Sequence, residues 1–368
     1  MIYEAHGDVC RLGYLRLIAC LADDFTPKSF DYLASLLHEL VKQAEKPPEG
    51  AILTGIIASQ VNVRNYITLA SETGIIDRKT QVRGLMGSIY SRLDSAYKFH
   101  AVIEGRERLS HDMLLELSPV ERAFFLHTLA YHDYPFLGEV ILWSLQRQRF
   151  NRTDAMNAIM EDIYPEALIR ALPTADPKRR PLIKKELDEA GTFKEKRQSY
   201  ASKSEWIRSR QYAKYRHVAP PRLEWLVDLG ILLREGRGKF AVNKELLAFV
   251  ERFERVLRQP LKKLEESLFE QVFPLLHEWE QASREEISQT FIEGYGRFVR
   301  DGFKTVKLDM LKLYTCYKLM EEGKLTTPST VHQVFNNIAL RYPDKVFVTP
   351  GPSGAVEIAR IELATTEV

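Results

Sequence analysis

Hydrophobic positions along most of the chain recur at spacings of three and four, the period of a helix buried along one side. After Thr26-Pro27 the apolar residues Phe30, Leu33, Leu37, Leu40 and Val41 fall on one such face. Ser118-Pro119-Val120-Glu121 combines an N-cap, a proline at the first helical position and a capping-box glutamate. The helix it opens carries Phe124, Phe125, Leu126 and Leu129, a density that predicts burial on most sides. Pro135 stops it, and a second apolar helix runs through Val140, Ile141, Trp143 and Leu145. A further capping box, Ser283-Arg284-Glu285-Glu286, opens a helix toward Phe298 and Val299. Strand patterns are short and paired. Residues 231–242 and 345–361 each read as strand, turn, strand, the second with Pro350-Gly351-Pro352-Ser353-Gly354 as its turn. Each pair follows a helix, so a mainly α chain with small hairpins is expected.

The segment Ala219-Pro220-Pro221-Arg222-Leu223-Glu224-Trp225-Leu226-Val227-Asp228-Leu229-Gly230-Ile231-Leu232 ends a helix on a glycine and enters a charged hairpin. In this it resembles the third helix and wing of the winged helix-turn-helix superfamily. Val63 to Ile76 repeats the cadence with Gly74 at the helix stop, its hairpin around Asp77 to Arg83 being less distinct. A third copy is C-terminal: a helix over about 308–321, another from Pro328 to Arg341, and the hairpin from Lys345 to Ile361. The N-terminal cadence also resembles winged-helix proteins of bacterial or archaeal defence systems. The resemblance implies tandem winged-helix units with small β-hairpin wings joined by helical segments. Expected divisions are 1–100, an N-terminal helical, winged-helix-like unit; 101–172, a helical connecting domain; 173–258, a basic segment plus winged helix; and 259–368, a helix pair plus a C-terminal winged helix.

What the resemblance implies for function is recognition of double-stranded DNA, with a helix in the major groove and the wing on backbone. On the helix from Pro328, Val331, Phe335, Ile338 and Tyr342 share one sector, leaving Ser329, Gln333, Asn336 and Asn337 roughly opposite. Such amides pair bidentately with adenine; a solvated polar face is the alternative. The hairpin tip Arg234-Glu235-Gly236-Arg237-Gly238-Lys239 offers Arg234, Arg237 and Lys239 to phosphates. Arg222, Arg64 and Asn65, on the third helices of the other two units, complete the candidates for DNA contact.

Charge sharpens this picture. The net charge is only +2, yet residues 178–216 hold 13 Lys or Arg against 5 acids, while the remainder holds 39 basic and 45 acidic residues. A mildly acidic protein with one basic stretch is a polyanion-binding pattern. Within the stretch Arg208, Arg210, Lys214 and Arg216 are phosphate candidates, interleaved with Phe193, Tyr200, Trp206, Tyr212 and Tyr215. From Ser204 the spacing predicts one helix with Ile207, Gln211 and Tyr215 on one side.

Chemistry is thinly signalled. Neither G-x-x-x-x-G-K-[ST] nor G-x-G-x-x-G nor a Gly-x-Ser-x-Gly elbow occurs. His127 and His132 are five apart and miss the four-residue spacing of a helical metal pair. Asp309 with Glu322-Gly323-Lys324 is the best approach to a metal-dependent nuclease, but Glu321 to Lys324 reads as a helix end. No uncharged apolar run approaches the roughly 20 residues of a membrane span. Glu4 and Asp8 stand where an export signal carries positive charge, and Cys10, Cys20 and Cys316 suit a reducing compartment. These features lead to the expectation of a cytoplasmic, non-enzymatic duplex-DNA-binding protein without cofactor or membrane segment. It would be one component of a nucleic-acid-processing, defence or regulatory assembly, with a protein partner or a homo-oligomer. The alternative is a winged-helix scaffold that docks other subunits.

Overall fold

In the computed structural model, residues 1–2, 9–44, 56–57, 59–210, 212–213, 217–299, 304–350 and 357–364 are described. The protein is mainly helical with small sheets, and one order of elements recurs. In the central region helix Phe136–Arg147 leads into strand Arg149–Asn151 and helix Arg152–Ala158. The last continues through a wider turn, Ile159–Ile163, into Tyr164–Ala171. After an interruption come helix Ala219–Asp228 and strands Leu232–Gly236 and Lys239–Val242. The first strand pairs antiparallel with the third and the third with the second, setting Phe150 opposite Phe240. Their rings stack at 5.8 Å, and Trp143 meets Phe150 edge-on at 4.8 Å, joining sheet to helix.

The C-terminal region repeats the order: helix Arg284–Phe298, strand Val306–Lys307, helices Leu308–Glu321 and Pro328–Arg341, and strands Val346–Pro350 and Glu357–Ile361. Its sheet has the same connectivity, first strand to third and third to second. Near the N-terminus helices Gly13–Leu21, Phe30–Lys42 and Gln60–Glu72 are followed by a reduced hairpin with one bridge, Ile76 to Arg83. Arg83 N donates to Asp23 O at 2.7 Å and Lys28 N to Gln81 O at 2.9 Å, so an extended segment after the first helix borders this hairpin too. Glycine is required at the helix stops: Gly74 has φ +70° and Gly230 φ +74°, values that strain a side-chain-bearing residue.

All three regions share one apolar core. Helix Leu308–Glu321 lies deep within it, with Leu311, Tyr314, Cys316, Tyr317 and Leu319 buried. Buried polar groups then fix orientation. Arg16 Nη1 lies 2.8 Å from Glu121 Oε2, and Tyr90 Oη donates to Glu121 Oε1 at 2.7 Å. Glu121 also accepts Ser118 N, so the capping glutamate legible in the sequence doubles as the anchor of the N-terminal region. The Glu321 carboxylate accepts Asp94 N, Ser95 N and Ser95 Oγ at 2.9, 2.8 and 2.5 Å, tying the C-terminal region to the N-terminal one.

Three sequence expectations change. The helix expected from Thr26-Pro27 starts later, because Ser29 is its N-cap and accepts Tyr32 N. The division expected at residue 173 cuts through a sheet, since Arg149–Asn151 pairs with residues 239–241. The helix expected from Ser204 ends at Arg208, where Ser209 turns extended; Gln211 and Tyr215 lie outside the described residues.

Candidate nucleic-acid interface

Helix Pro328–Arg341 has an extended, uncharged polar face. Thr327 caps its start by accepting Thr330 N, and Pro328 presets the first turn. Val331, Val334, Phe335 and Ile338 are buried, with Phe335 against Phe291 at 5.2 Å. The helical period therefore turns Ser329, Gln333, Asn336 and Asn337 outward, and all four are exposed. No Asp or Glu occurs anywhere in the helix. Its first turn is closest to an acid, because Ser329 N donates to Glu266 Oε2 at 3.0 Å. The open part of the face is thus Gln333, Asn336 and Asn337. The adjoining hairpin exposes Phe347 and Val348, and Arg360 lies 5.8 Å from the Phe347 ring. Leu340, 80% exposed, extends the helix face toward its C-terminal end. Sequence reasoning does not single out Leu340, Phe347 or Val348, because an isolated apolar residue on a polar face carries no distinctive pattern.

The corresponding central helix, Ala219–Asp228, is closed. Arg222 was expected at a DNA contact and is fully buried instead. Its Nε and Nη2 donate to the Asp133 carboxylate at 2.7 and 2.9 Å, Nη1 donates to Val218 O and Nη2 to Ile2 O, both at 2.6 Å. Its guanidinium lies 4.1 Å from the Phe136 ring centroid. All three guanidinium nitrogens donate inside the protein, so Arg222 is an internal clamp. Trp225 Nε1 donates to Val9 O, and Asp228 accepts Leu12 N at 2.9 Å and Arg11 Nη1 at 2.5 Å. Burial pushes the Asp228 carboxyl up to about 6 despite the facing Arg11. Ile2, Val9, Arg11 and Leu12 of the N-terminal segment thus cover this helix.

The central hairpin keeps only part of its expected charge. Arg234 pairs with the buried Glu224 and is no longer a phosphate candidate on equal terms with its neighbours. Arg237 and Lys239 are exposed. Arg152 N donates to Gly238 O at 2.8 Å, which seats the hairpin tip on the start of helix Arg152–Ala158. Between residues 172 and 218 the interruption carries helices Arg180–Gly191, Phe193–Ser199 and Lys203–Arg208. Arg208 and Arg210 are exposed there, while Lys214 and Arg216 lie outside the described residues. Phe193 and Trp206 are buried at 5.2 Å from each other, with Tyr200 and Tyr212 against Trp206 at 5.3 and 5.7 Å. In the N-terminal region Arg64 is exposed and pairs with Asp31 at 3.1 Å, and Asn65 is half-buried.

The nuclease arrangement does not assemble. Asp309 lies in the first turn of helix Leu308–Glu321 and pairs with Lys312 at 2.7 Å; Glu322 follows its other end and lies 3.2 Å from Lys318. At 1.5 Å per residue they are roughly 20 Å apart. Lys324 pairs with Glu280 and Glu286 at 2.6 and 3.5 Å. His127 and His132 line one cavity of about 330 Å³, but His127 Nδ1 is 2.6 Å from Tyr317 Oη and Nε2 is 3.1 Å from Glu265. Burial lowers His132 to about 4. Among the described residues no three His, Cys, Asp or Glu side chains gather as a metal set. Burial raises the Cys10 and Cys20 thiols to about 12. No helix among the described residues is long and apolar enough to cross a membrane. Comparison of the chain with family models, with curated proteins and with solved structures gives no match.

Proposed function

We propose that the chain is a non-enzymatic duplex-DNA-binding protein built from tandem winged-helix units, with the C-terminal unit as its reader. The recurring helix–strand–helix–helix–hairpin order, with the first strand on the third, supports the winged-helix reading. The observation that carries the DNA reading is the acid-free helix Pro328–Arg341, exposed along Gln333, Asn336 and Asn337 beside an open hairpin. A helix so placed enters a major groove without pushing carboxylates against phosphate, and its amides match the N6/N7 edge of adenine. Arg208, Arg210, Arg237 and Lys239 supply sequence-independent phosphate contact from the central region. Cytoplasmic residence, and a place as one component of a processing, defence or regulatory assembly, belong to this proposal.

Selection of binding sites from a random duplex pool tests it. Gln333→Ala combined with Asn336→Ala should flatten sequence preference by about 1–3 kcal/mol for each bidentate pair removed. Selection of the same sites by parent and double variant would remove this helix from the interface. A second reading, a scaffold for protein subunits, is favoured by Leu340, Phe347 and Val348, which place exposed apolar surface on the same helix and hairpin. Salt separates the two: duplex binding weakens steeply as salt rises, and an apolar contact does not.

A further inference from the structure

A cleft of about 630 Å³ opens between the 172–218 interruption and helix Arg152–Ala158. That volume lies inside the roughly 300–1,000 Å³ range of sites that enclose small organic ligands. One wall is aromatic, made of Tyr200 and Tyr212 with the largely buried Trp206 against both; Lys203 supplies positive charge beside the Glu161-paired Arg197; Thr153 and Asn157 add neutral polar groups. No carboxylate is among the described lining residues. Arg197 reaches Glu161 through Nη2 at 2.6 Å, but its buried Nε has no acceptor among the described residues. A buried donor left in this state is costly, and an incoming oxygen acceptor would relieve it. Thr153 follows Arg152, whose amide holds the Gly238 carbonyl, so the cleft and the Arg237–Lys239 hairpin tip share a rim.

We propose that this cleft binds a nucleotide unit of single-stranded nucleic acid. The base lies against the Trp206, Tyr200 and Tyr212 wall, and the phosphate between Lys203 and Arg197. A base inside a duplex is stacked on both sides and cannot enter a concave pocket, whereas an unpaired one can. The site thus takes a strand end or displaced strand beside duplex held elsewhere on the protein. The inference rests on reading the chain as a nucleic-acid binder, but it uses residues separate from helix Pro328–Arg341.

The probe is a twelve-residue oligothymidylate, followed by anisotropy of an end label and by intrinsic tryptophan fluorescence of the full chain. The parent should bind it with quenching, and Trp206→Phe should abolish most of the quenching. Lys203→Glu, an exposed change that leaves the aromatic packing alone, should weaken binding and reduce the magnitude of its log-affinity versus log-salt slope by about 0.7, the share of one phosphate contact on a single strand. Duplex site selection by Lys203→Glu should match the parent. Unchanged oligothymidylate affinity in Lys203→Glu, or full quenching in Trp206→Phe, overturns the cleft assignment and leaves the duplex reading standing. A strand effect that persists while Gln333→Ala with Asn336→Ala changes nothing on duplex overturns only the duplex reader.

Discussion

The two third helices, Ala219–Asp228 and Pro328–Arg341, occupy equivalent places in the same order of elements and present opposite surfaces. The central one is buried nearly all round, with Arg222, Trp225 and Asp228 each engaged by residues from the first part of the chain or by Asp133. The C-terminal one buries a single stripe and leaves its amides in solvent. One topology therefore serves as an internal packing unit in one place and as an open surface in the other. Function follows from which face remains uncovered, and topology alone does not decide it.

The largest expected effect of breaking this contrast is on the closed side. Arg222→Ala strands Asp133 as an uncompensated buried charge and should cost about 3–5 kcal/mol of stability. Chemical denaturation reads this directly; a loss below about 1 kcal/mol would mean that the clamp is not closed in solution. Asp228 gives the same helix a pH dependence. Its folded value is raised above that of the unfolded chain, so its contribution to stability is greatest below pH 3.8 and is lost as pH rises to about 6. Subtracting denaturation curves of Asp228→Asn from the parent at about pH 4 and about pH 7 should isolate that decline. A difference that does not change with pH refutes the shift.

On the open side, Gln333→Ala with Asn336→Ala should leave stability within about 0.5 kcal/mol while changing duplex preference. A melting curve showing a larger drop would mean that the face packs against something. Reversing Arg208, Arg210, Arg237 and Lys239 to Glu should lower affinity for all duplex sequences alike. Removing one phosphate-binding cation should reduce the magnitude of the log-affinity versus log-salt slope by about 0.9. The smallest effect belongs to the N-terminal third helix: Arg64→Ala removes an exposed pair with Asp31 and should shift stability by less than about 1 kcal/mol.

What the sequence made legible is local. The capping boxes at Ser118 and Ser283, the glycine stops at Gly74 and Gly230, and the 232–242 hairpin depend on turn chemistry within a few residues, whereas residues 351–354 of the second expected turn lie outside the described residues. The outward face of helix Pro328–Arg341 was legible for the same reason, because its period is continuous. Arg222 was not, since its destination is set by Asp133, 89 positions earlier. Arg149–Asn151 is too short to signal a strand by alternation and exists because residues 239–241 pair with it. The cleft beside Trp206 was half legible: the aromatic and basic residue types stood out, but their enclosure by Thr153 and Asn157 depends on a helix preceding them by about 50 residues.

That short strand also constrains how the protein is made. Arg149–Asn151 leaves the ribosome about 90 residues before the strand that completes its sheet, which at about 5–20 residues per second is a wait of roughly 4–18 s. During this interval Phe150 has no Phe240 to cover it, and the strand presents unpaired backbone to any other extended chain nearby. The C-terminal sheet closes over only some 50 residues. Slow or misdirected folding should therefore originate in the central region, and the sequence between residues 151 and 239 sets the length of that exposure.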